Sequence, residues 1–123
     1  MFYAHYLAWF DVAMTELFRA GGHPYGAMTG DGVDMVVAEA NLRYLGSAAF
    51  DDEIELTATV QRLGSTSLIT ALGIERPEDG TPLAEGELRH VFVDLATRQK
   101  TPIPPEVRRA LEPFVAAPVA LER

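Results

Sequence analysis

The sequence contains no cysteine, which excludes disulfide bonds, thiolate nucleophiles and cysteine-ligated zinc. Basic residues are scarce, since 10 Lys and Arg stand against 18 Asp and Glu and give a net charge of −8. Because nucleic-acid binding requires a basic surface, this balance argues against a nucleic-acid partner. No stretch approaches the ~20 consecutive apolar residues of a membrane span, and no basic-then-apolar leader is present, so we expect a cytoplasmic location.

The common motifs for phosphate and metal binding are also missing. No glycine-rich loop of the P-loop or dinucleotide type occurs. The histidines His5, His23 and His90 lie far apart and show no His-x-x-x-His spacing, so we predict no metal site and no cofactor. We expect His23 in an exposed loop and His90 buried on a strand.

What the chain does contain is an aromatic and apolar N-terminal segment. Apolar residues recur at spacings of three and four from Leu7 to Phe18, which predicts a helix over about His5 to Arg19. Gly21-Gly22 should end this helix with a glycine cap. Because its apolar residues cover most of the circumference, we expect the helix to be buried on several sides.

The rest of the chain alternates between apolar and polar residues after a loop at 23–34, which predicts half-buried antiparallel strands. These strands cover about 36–44, 53–61, 66–76 and 83–95, with a short extended piece near 101–103. One face of the first strand should hold Val36, Ala38, Ala40, Leu42 and Tyr44. A short helix should run from Pro104-Pro105 to Phe114, and residues 115–123 should form a poorly ordered tail. The 123 residues therefore predict a single α+β domain.

Several segments resemble small acyl-CoA thioesterases of the 4-hydroxybenzoyl-CoA thioesterase type. FYAHYLAWFDVAMTELFRA is similar to the family's helix signature, ANLRYLGSAAFDDEIELTATVQRLGSTS to its second and third strands, and HVFVDLATRQKTPIP to its closing strand. The matching positions in the helix are Tyr3, His5-Tyr6, Trp9-Phe10-Asp11 and Thr15-Glu16. The resemblance implies a hot-dog fold, in which a curved antiparallel sheet wraps a long central helix and a short helix follows. It also implies a homodimer or homotetramer with active sites at the protomer boundary.

The sequence departs from the family's pattern in two respects. The family's catalytic acid and the strand that carries it would precede Met1, and the family's asparagine is replaced by His5. The proline of the family's spacer is Ser47 or Ala48 here. One expectation is that Met1 is an internal methionine of a longer reading frame; a divergent enzyme and a chain that has lost activity are the alternatives.

The resemblance implies hydrolysis of a thioester, which needs a base for water and hydrogen-bond donors for the oxyanion. His5 is the titratable base at the helix start, and backbone N–H groups near Tyr6 and Leu7 are expected to lack intrahelical acceptors. Tyr3 and Tyr6 are candidates to line the acyl pocket. The structural alternatives remain open, with His5 as a helix cap and the tyrosines as core residues.

Coenzyme A would enter as part of the substrate, and its phosphates call for cations at the rim of the site. Arg62 and Arg89 are the candidates, together with the polar turn Ser65, Thr66 and Ser67. Glu39 is the internal candidate for a substitute acid. For the arginines and Glu39 a solvated surface role is the favoured alternative, and a simple polar turn explains Ser65, Thr66 and Ser67 equally well.

Three function classes follow from the sequence. The first is a thioesterase that acts on acyl-CoA or on an acyl-carrier-protein thioester. The second is a non-catalytic hot-dog module that binds acyl thioesters, or an inactive fragment of a longer thioesterase. The third is an unrelated cystatin-like or nuclear-transport-factor-like pocket protein, which the segment at residues 2–11 disfavours.

Overall fold

The computed structural model describes residues 3–22, 30, 32–46, 53–115 and 119–121, and at 3–11 and 119–121 it describes the backbone. Helix α1 spans Tyr3–Ala20, and helix α2 spans Pro105–Leu111 and continues into a 3-10 turn at Glu112–Phe114. The strands are β1 (Val33–Tyr44), β2 (Glu55–Leu63), β3 (Ser67–Arg76), β4 (Thr81–Asp94) and β5 (Val119–Leu121). They form one antiparallel sheet in the order β1-β4-β3-β2-β5, which confirms the predicted α+β class.

Alternation along the central strands gives the sheet two different faces. The inner face carries buried apolar side chains, among them Leu56, Leu68 and Leu72, and it forms the core together with α1. The buried residues of α1 are Ala13, Met14, Leu17 and Phe18. The opposite side of the sheet, the outer face, carries the intervening and mostly polar residues, because successive side chains of a strand point to opposite sides.

The C-terminal end of α1 confirms the predicted glycine cap. The Gly21 N–H donates to the Leu17 carbonyl at 3.1 Å, and Gly22 follows with a φ of +81°. Gly21 also lies against the backbone of α2, since a Cβ at this position would overlap the Ala110 carbonyl. Glycine therefore ends the helix and permits the close approach of α2.

Helix α2 lies at the same end of the molecule as the β2–β3 turn. Pro105 occupies its first turn, where a missing N–H does no harm. The Arg108 guanidinium donates to the Gly64 carbonyl, and the Ile103 N–H donates to the Ser65 carbonyl at 2.9 Å. The C-terminal end of α1, α2 and this turn thus form one packed end of the domain.

The predicted face of the first strand is correct for Ala40, Leu42 and Tyr44 and wrong for Val36. The register of β1 against β4 shifts between Val37 and Glu39, so that a bulge at Ala38 moves the following residues to the other side. Val36 therefore lies opposite Val91 on the outer face, whereas Ala40 and Leu42 lie on the inner face. Strict alternation cannot reveal a bulge, because one extra residue reverses every side chain after it.

The C-terminal tail is also more regular than the sequence indicated. Val119–Leu121 form β5, which pairs with Leu56–Ala58 at the edge of β2. The physical reason is that β2 otherwise offers unpaired backbone groups to any neighbouring extended segment. His90 is buried on the inner face, as predicted, and His23 lies outside the described residues.

Candidate active site

The N-terminal candidates Tyr3, His5, Tyr6 and Leu7 lie in the first two turns of α1. The helix begins at Tyr3, which is slightly earlier than the sequence predicted. The first N–H groups of a helix lack intrahelical acceptors, and in α1 these are the groups around Tyr3 to His5. The N–H groups of Tyr6 and Leu7, which the sequence predicted to be free, lie at the end of this stretch or beyond it. The first turn of α1 carries no acidic residue, so the partial positive charge of the helix start is not neutralised from within that turn.

A second group of candidates lies on the outer face of the sheet. Glu39 is opposite Arg89 on the neighbouring strand, and both line a shallow depression of about 190 Å³. The Glu39 carboxylate accepts a hydrogen bond of 3.0 Å from the Asn41 amide. Arg62 lies opposite Ile69 and is exposed. These residues are separated from α1 by the thickness of the sheet.

The third group, Ser65, Thr66 and Ser67, forms the β2–β3 turn. Its backbone is held by the Phe92 N–H, which donates to the Thr66 carbonyl at 2.9 Å, and by the contact of Ile103 with Ser65. The Ser65 side chain is exposed, and those of Thr66 and Ser67 are half-buried. The turn is therefore a rigid and partly open polar surface.

The three groups are not brought together at one place within a single chain. The β2–β3 turn lies beside α2 and the C-terminal end of α1, whereas His5 lies at the N-terminal end. The path along the helix from His5 to Gly21 is about 24 Å at the helical rise of ~1.5 Å per residue. A site that uses both ends requires either an extended ligand or a second copy of the chain.

The sequence did not reveal the larger depression, which lies on the outer face and has a volume of about 650 Å³. Its floor contains Ala71 and Gly73, and one wall carries Thr57 and Thr59. Thr57 approaches Gly73 closely, because a Cβ at position 73 would lie 2.8 Å from the Thr57 hydroxyl oxygen. The sequence signal for this depression was the pairing of small residues with threonine on adjacent strands. This pairing can be recognised only when the strand register is known.

The inner face also carries two buried polar side chains, Thr70 and His90. The Thr70 hydroxyl has no hydrogen-bond partner within the described part of the chain. Among the described residues no cluster of three or more His, Asp or Glu side chains has a metal-binding arrangement. In those same residues no helix has the length and apolar character that crossing a membrane requires.

A sequence profile of the thioesterase-like superfamily matches residues 1–111, which include α1, the strands β1 to β4 and α2. The match extends over most of the chain and includes both the helix start and the β2–β3 turn. The chain therefore belongs to the thioesterase-like superfamily.

Individual relatives agree with this assignment. The acyl-CoA thioester hydrolase YbgC of Escherichia coli is 30% identical over 94 residues, which are 76% of this chain and 69% of YbgC. The crystal structure of the PA5185 protein from Pseudomonas aeruginosa is 30% identical with a TM-score of 0.81, over 93% of this chain and 78% of that one. The 1,4-dihydroxy-2-naphthoyl-CoA thioesterase from Synechocystis shares the fold with a TM-score of 0.84 at 17% identity, over 90% of this chain and 82% of its own. The predicted resemblance to hot-dog thioesterases is confirmed.

Proposed function

We propose that this chain hydrolyses an acyl thioester, carried by coenzyme A or by an acyl carrier protein, to the free acid. The observation that carries the proposal is the superfamily match, which includes the helix start with His5 and Tyr6. The similarity to the acyl-CoA thioester hydrolase YbgC supports the same reaction. No cofactor is required, because coenzyme A enters as part of the substrate.

In the proposed mechanism, His5 removes a proton from the water that attacks the thioester carbonyl. The C–S bond then breaks as the tetrahedral intermediate collapses to the free acid, and the protonated His5 returns the proton to the departing thiolate. The free N–H groups of the first turn of α1, together with the Tyr6 hydroxyl, stabilise the oxyanion that develops. Tyr3 and Leu7 contact the acyl group. Arg62 and the hydroxyls of Ser65–Ser67 bind the coenzyme A phosphates, because they combine a cation with hydrogen-bond donors on a rigid turn.

The proposed active species is a cytoplasmic homodimer formed through β1. This strand is an edge of the sheet, and its valines Val36 and Val37 are 47% and 59% exposed. An exposed apolar edge favours pairing with a second copy, which would extend the sheet and satisfy its unpaired backbone groups. The complete sheet of the dimer would then wrap the central helices, with the active sites at the protomer boundary.

The function is tested with a panel of aromatic, short-chain and long-chain acyl-CoA substrates. We expect the rate to rise with pH as His5 loses its proton, because only the neutral imidazole can accept a proton from water. His5→Ala should lower kcat by about 100-fold or more, with little change in coenzyme A binding. His23→Ala is the matched control, since it removes another histidine that has no role in the mechanism. Full activity in His5→Ala would reduce His5 to a structural residue.

The alternative function is a non-catalytic module that binds acyl thioesters. It is favoured by the placement of the site candidates, which within one chain do not form a single cluster. Binding of a non-hydrolysable acyl-CoA thioether, measured by calorimetry, separates the two functions. Tight binding without turnover of any substrate in the panel would support the binding module and overturn the hydrolase proposal.

A further inference from the structure

The last strand, β5, extends the inner face of the sheet by one strand. It pairs with β2 so that Val119 lies opposite Ala58 and Leu121 lies opposite Leu56. Directly opposed residues of antiparallel strands lie on the same face of a sheet. Leu56 and Ala58 belong to the inner face, where they are 0% and 1% exposed. The register therefore places positions 119 and 121 on the inner face as well.

The two ends of β2 are occupied by different parts of the C-terminal segment. Helix α2 holds the β2–β3 turn, which follows the end of β2, whereas β5 pairs with the beginning of that strand. The path along β2 from Leu56 to Leu63 is about 24 Å at ~3.4 Å per residue, which matches the path of about 24 Å along α1 from His5 to Gly21. Strand β2 and helix α1 therefore cover the same distance between the two ends of the domain.

Helix α1 is supported at both of these ends. At its C-terminal end Phe18 is buried in the core and Gly21 lies against the Ala110 carbonyl. The helix also contacts β2 and β5. Because its C-terminal end lies against α2, and β5 lies at the far end of β2, the contact with β5 falls on the N-terminal half of α1. This half carries His5 and Tyr6.

We propose that β5 positions the start of α1, with Val119 and Leu121 as positioning residues for His5. The inference rests on the proposed hydrolase function, in which His5 and the first turn of α1 act on the thioester. Backbone pairing with β2 fixes β5, and its inner-face positions then give the helix start an apolar support that is itself held in place. A misplacement of about 1 Å at a reacting group costs roughly 100-fold in rate. Strand β5 thus acts on kcat through the position of His5, without contact to the substrate.

The alternative role of β5 is to cover the edge of β2 and nothing more. Leu56, Ala58 and Val60 are at most 1% exposed, and Val115 continues the cover by a bridge to Val60. Such a cover would stabilise the fold and leave the position of α1 unchanged. The two roles are separated by a signal that comes from the helix itself. Trp9, the single tryptophan of the chain, lies in the N-terminal half of α1 and supplies this signal through its fluorescence.

The proposal is tested in the full chain with Leu121→Asp. A charge at this inner-face position should release β5, lower kcat by at least about 10-fold with little change in KM, and shift the emission of Trp9. Ala120→Asp is the matched control, because it adds the same charge at the position opposite Thr57, on the outer face. A synthetic peptide of residues 115–123 should restore kcat in Leu121→Asp by adding the missing strand to the edge of β2. The same peptide with the Leu121→Asp substitution should not.

A crosslink tests the position of β5 without a destabilising substitution and without an activity measurement. Thr57→Cys/Ala120→Cys places two thiols at directly opposed positions in a chain that has no other cysteine. The Cα atoms of opposed residues lie about 4.5–5.5 Å apart, which is within the range that a disulfide spans. The oxidised double variant should form the disulfide and keep its kcat. Gln61→Cys/Ala120→Cys, with one thiol farther along β2, is the control and should stay reduced.

Three results would decide against or in favour of the proposal. A double variant Thr57→Cys/Ala120→Cys that does not crosslink would overturn it, because β5 would not occupy the edge of β2. A folded Leu121→Asp variant that keeps both its kcat and the emission of Trp9 would also overturn it, since β5 would then be an edge cover alone. A wild-type protein that hydrolyses no acyl-CoA would remove the proposed function, whereas a shift of the Trp9 emission in Leu121→Asp, reversed by the peptide, would still support the positioning of α1 by β5.

Discussion

At the scale of single residues, the turn after β4 contains a backbone conformation that its amino acid does not favour. Arg98 has a φ of +64°, in the left-handed region that glycine adopts most readily. Asp94 holds this turn, since its carboxylate accepts from the Ala96 N–H at 2.8 Å and its carbonyl accepts from the Arg98 N–H at 2.7 Å. These hydrogen bonds fix the turn, which therefore tolerates the strained backbone of Arg98.

Arg98→Gly is therefore expected to increase the free energy of unfolding by about 0.5–1 kcal/mol. The left-handed conformation costs a non-glycine residue roughly 1–2 kcal/mol, and part of this gain is lost to the greater freedom of glycine in the unfolded chain. Urea unfolding at neutral pH measures the change. Gln99→Gly is the control and should decrease stability, because Gln99 has no positive φ to relieve. Equal effects of the two substitutions would contradict the assignment of strain to Arg98.

The β3–β4 turn contains a carboxylate whose pKa is set by its neighbours. The Thr81 side chain hydrogen-bonds to the Asp79 carboxylate, and the Thr81 N–H donates to it at 3.0 Å. The Arg76 guanidinium adds a third contact. Together these contacts hold the pKa of Asp79 below its ordinary value of 3.8. A lowered pKa in the folded protein stabilises the fold at pH values above the ordinary pKa of the group. This contribution is lost as the pH falls through the pKa of the folded protein. Thr81→Val should return the pKa of Asp79 towards 3.8, as measured by a carboxyl NMR titration, whereas Thr97→Val should not change it.

At the scale of elements, the close approach of α1 and α2 depends on a single glycine. Predicting Gly21 as a helix cap was correct, but its second role follows only from its position against the Ala110 carbonyl. The apolar spacing that located α1 says nothing about which element covers its end. Similarly, only the structure shows that Arg108 donates to the Gly64 carbonyl and holds the β2–β3 turn.

Gly21→Ala should destabilise the protein by roughly 1–3 kcal/mol, since the added methyl group must displace packed backbone. The change is measured by thermal or urea unfolding. Gly46→Ala is the matched control, because a Cβ there would meet its nearest neighbours at 3.5 and 3.6 Å, which is ordinary contact. If Gly21→Ala were no more destabilising than Gly46→Ala, the packing of α1 on α2 would be looser than described.

At the scale of the whole molecule, β1 leaves an apolar edge exposed, and this edge underlies the proposed dimer. Val37→Lys should reduce the number of chains in the assembly, because a charge on an edge strand opposes strand pairing. Sedimentation velocity at micromolar concentration measures this change. Val12→Lys is the control, since Val12 is an exposed valine (39%) on helix α1 and not on the strand edge. An unchanged assembly in Val37→Lys would show that copies of the chain do not meet at this edge.

The sequence by itself determined the two helices and four long strands of this protein and indicated its superfamily. Apolar spacing located α1, glycine located its end, and alternation located the four long strands, because these signals arise from local geometry that each residue carries with it. The helix start with His5 and Tyr6 was located in the same way, and the order of the segments indicated the thioesterase resemblance.

Only the tertiary structure decided which residues share a surface. The bulge at Ala38 moved Val36 to the face opposite Ala40 and Leu42, and the register alone placed Ala71 beside Glu87 and Ile69 beside Arg89. The tail was expected to be poorly ordered, yet Val119–Leu121 pair with β2, because an unpaired strand edge stabilises a segment whose own sequence has little preference. Such contacts join residues distant in the chain, and their energies depend on partners that local sequence cannot specify.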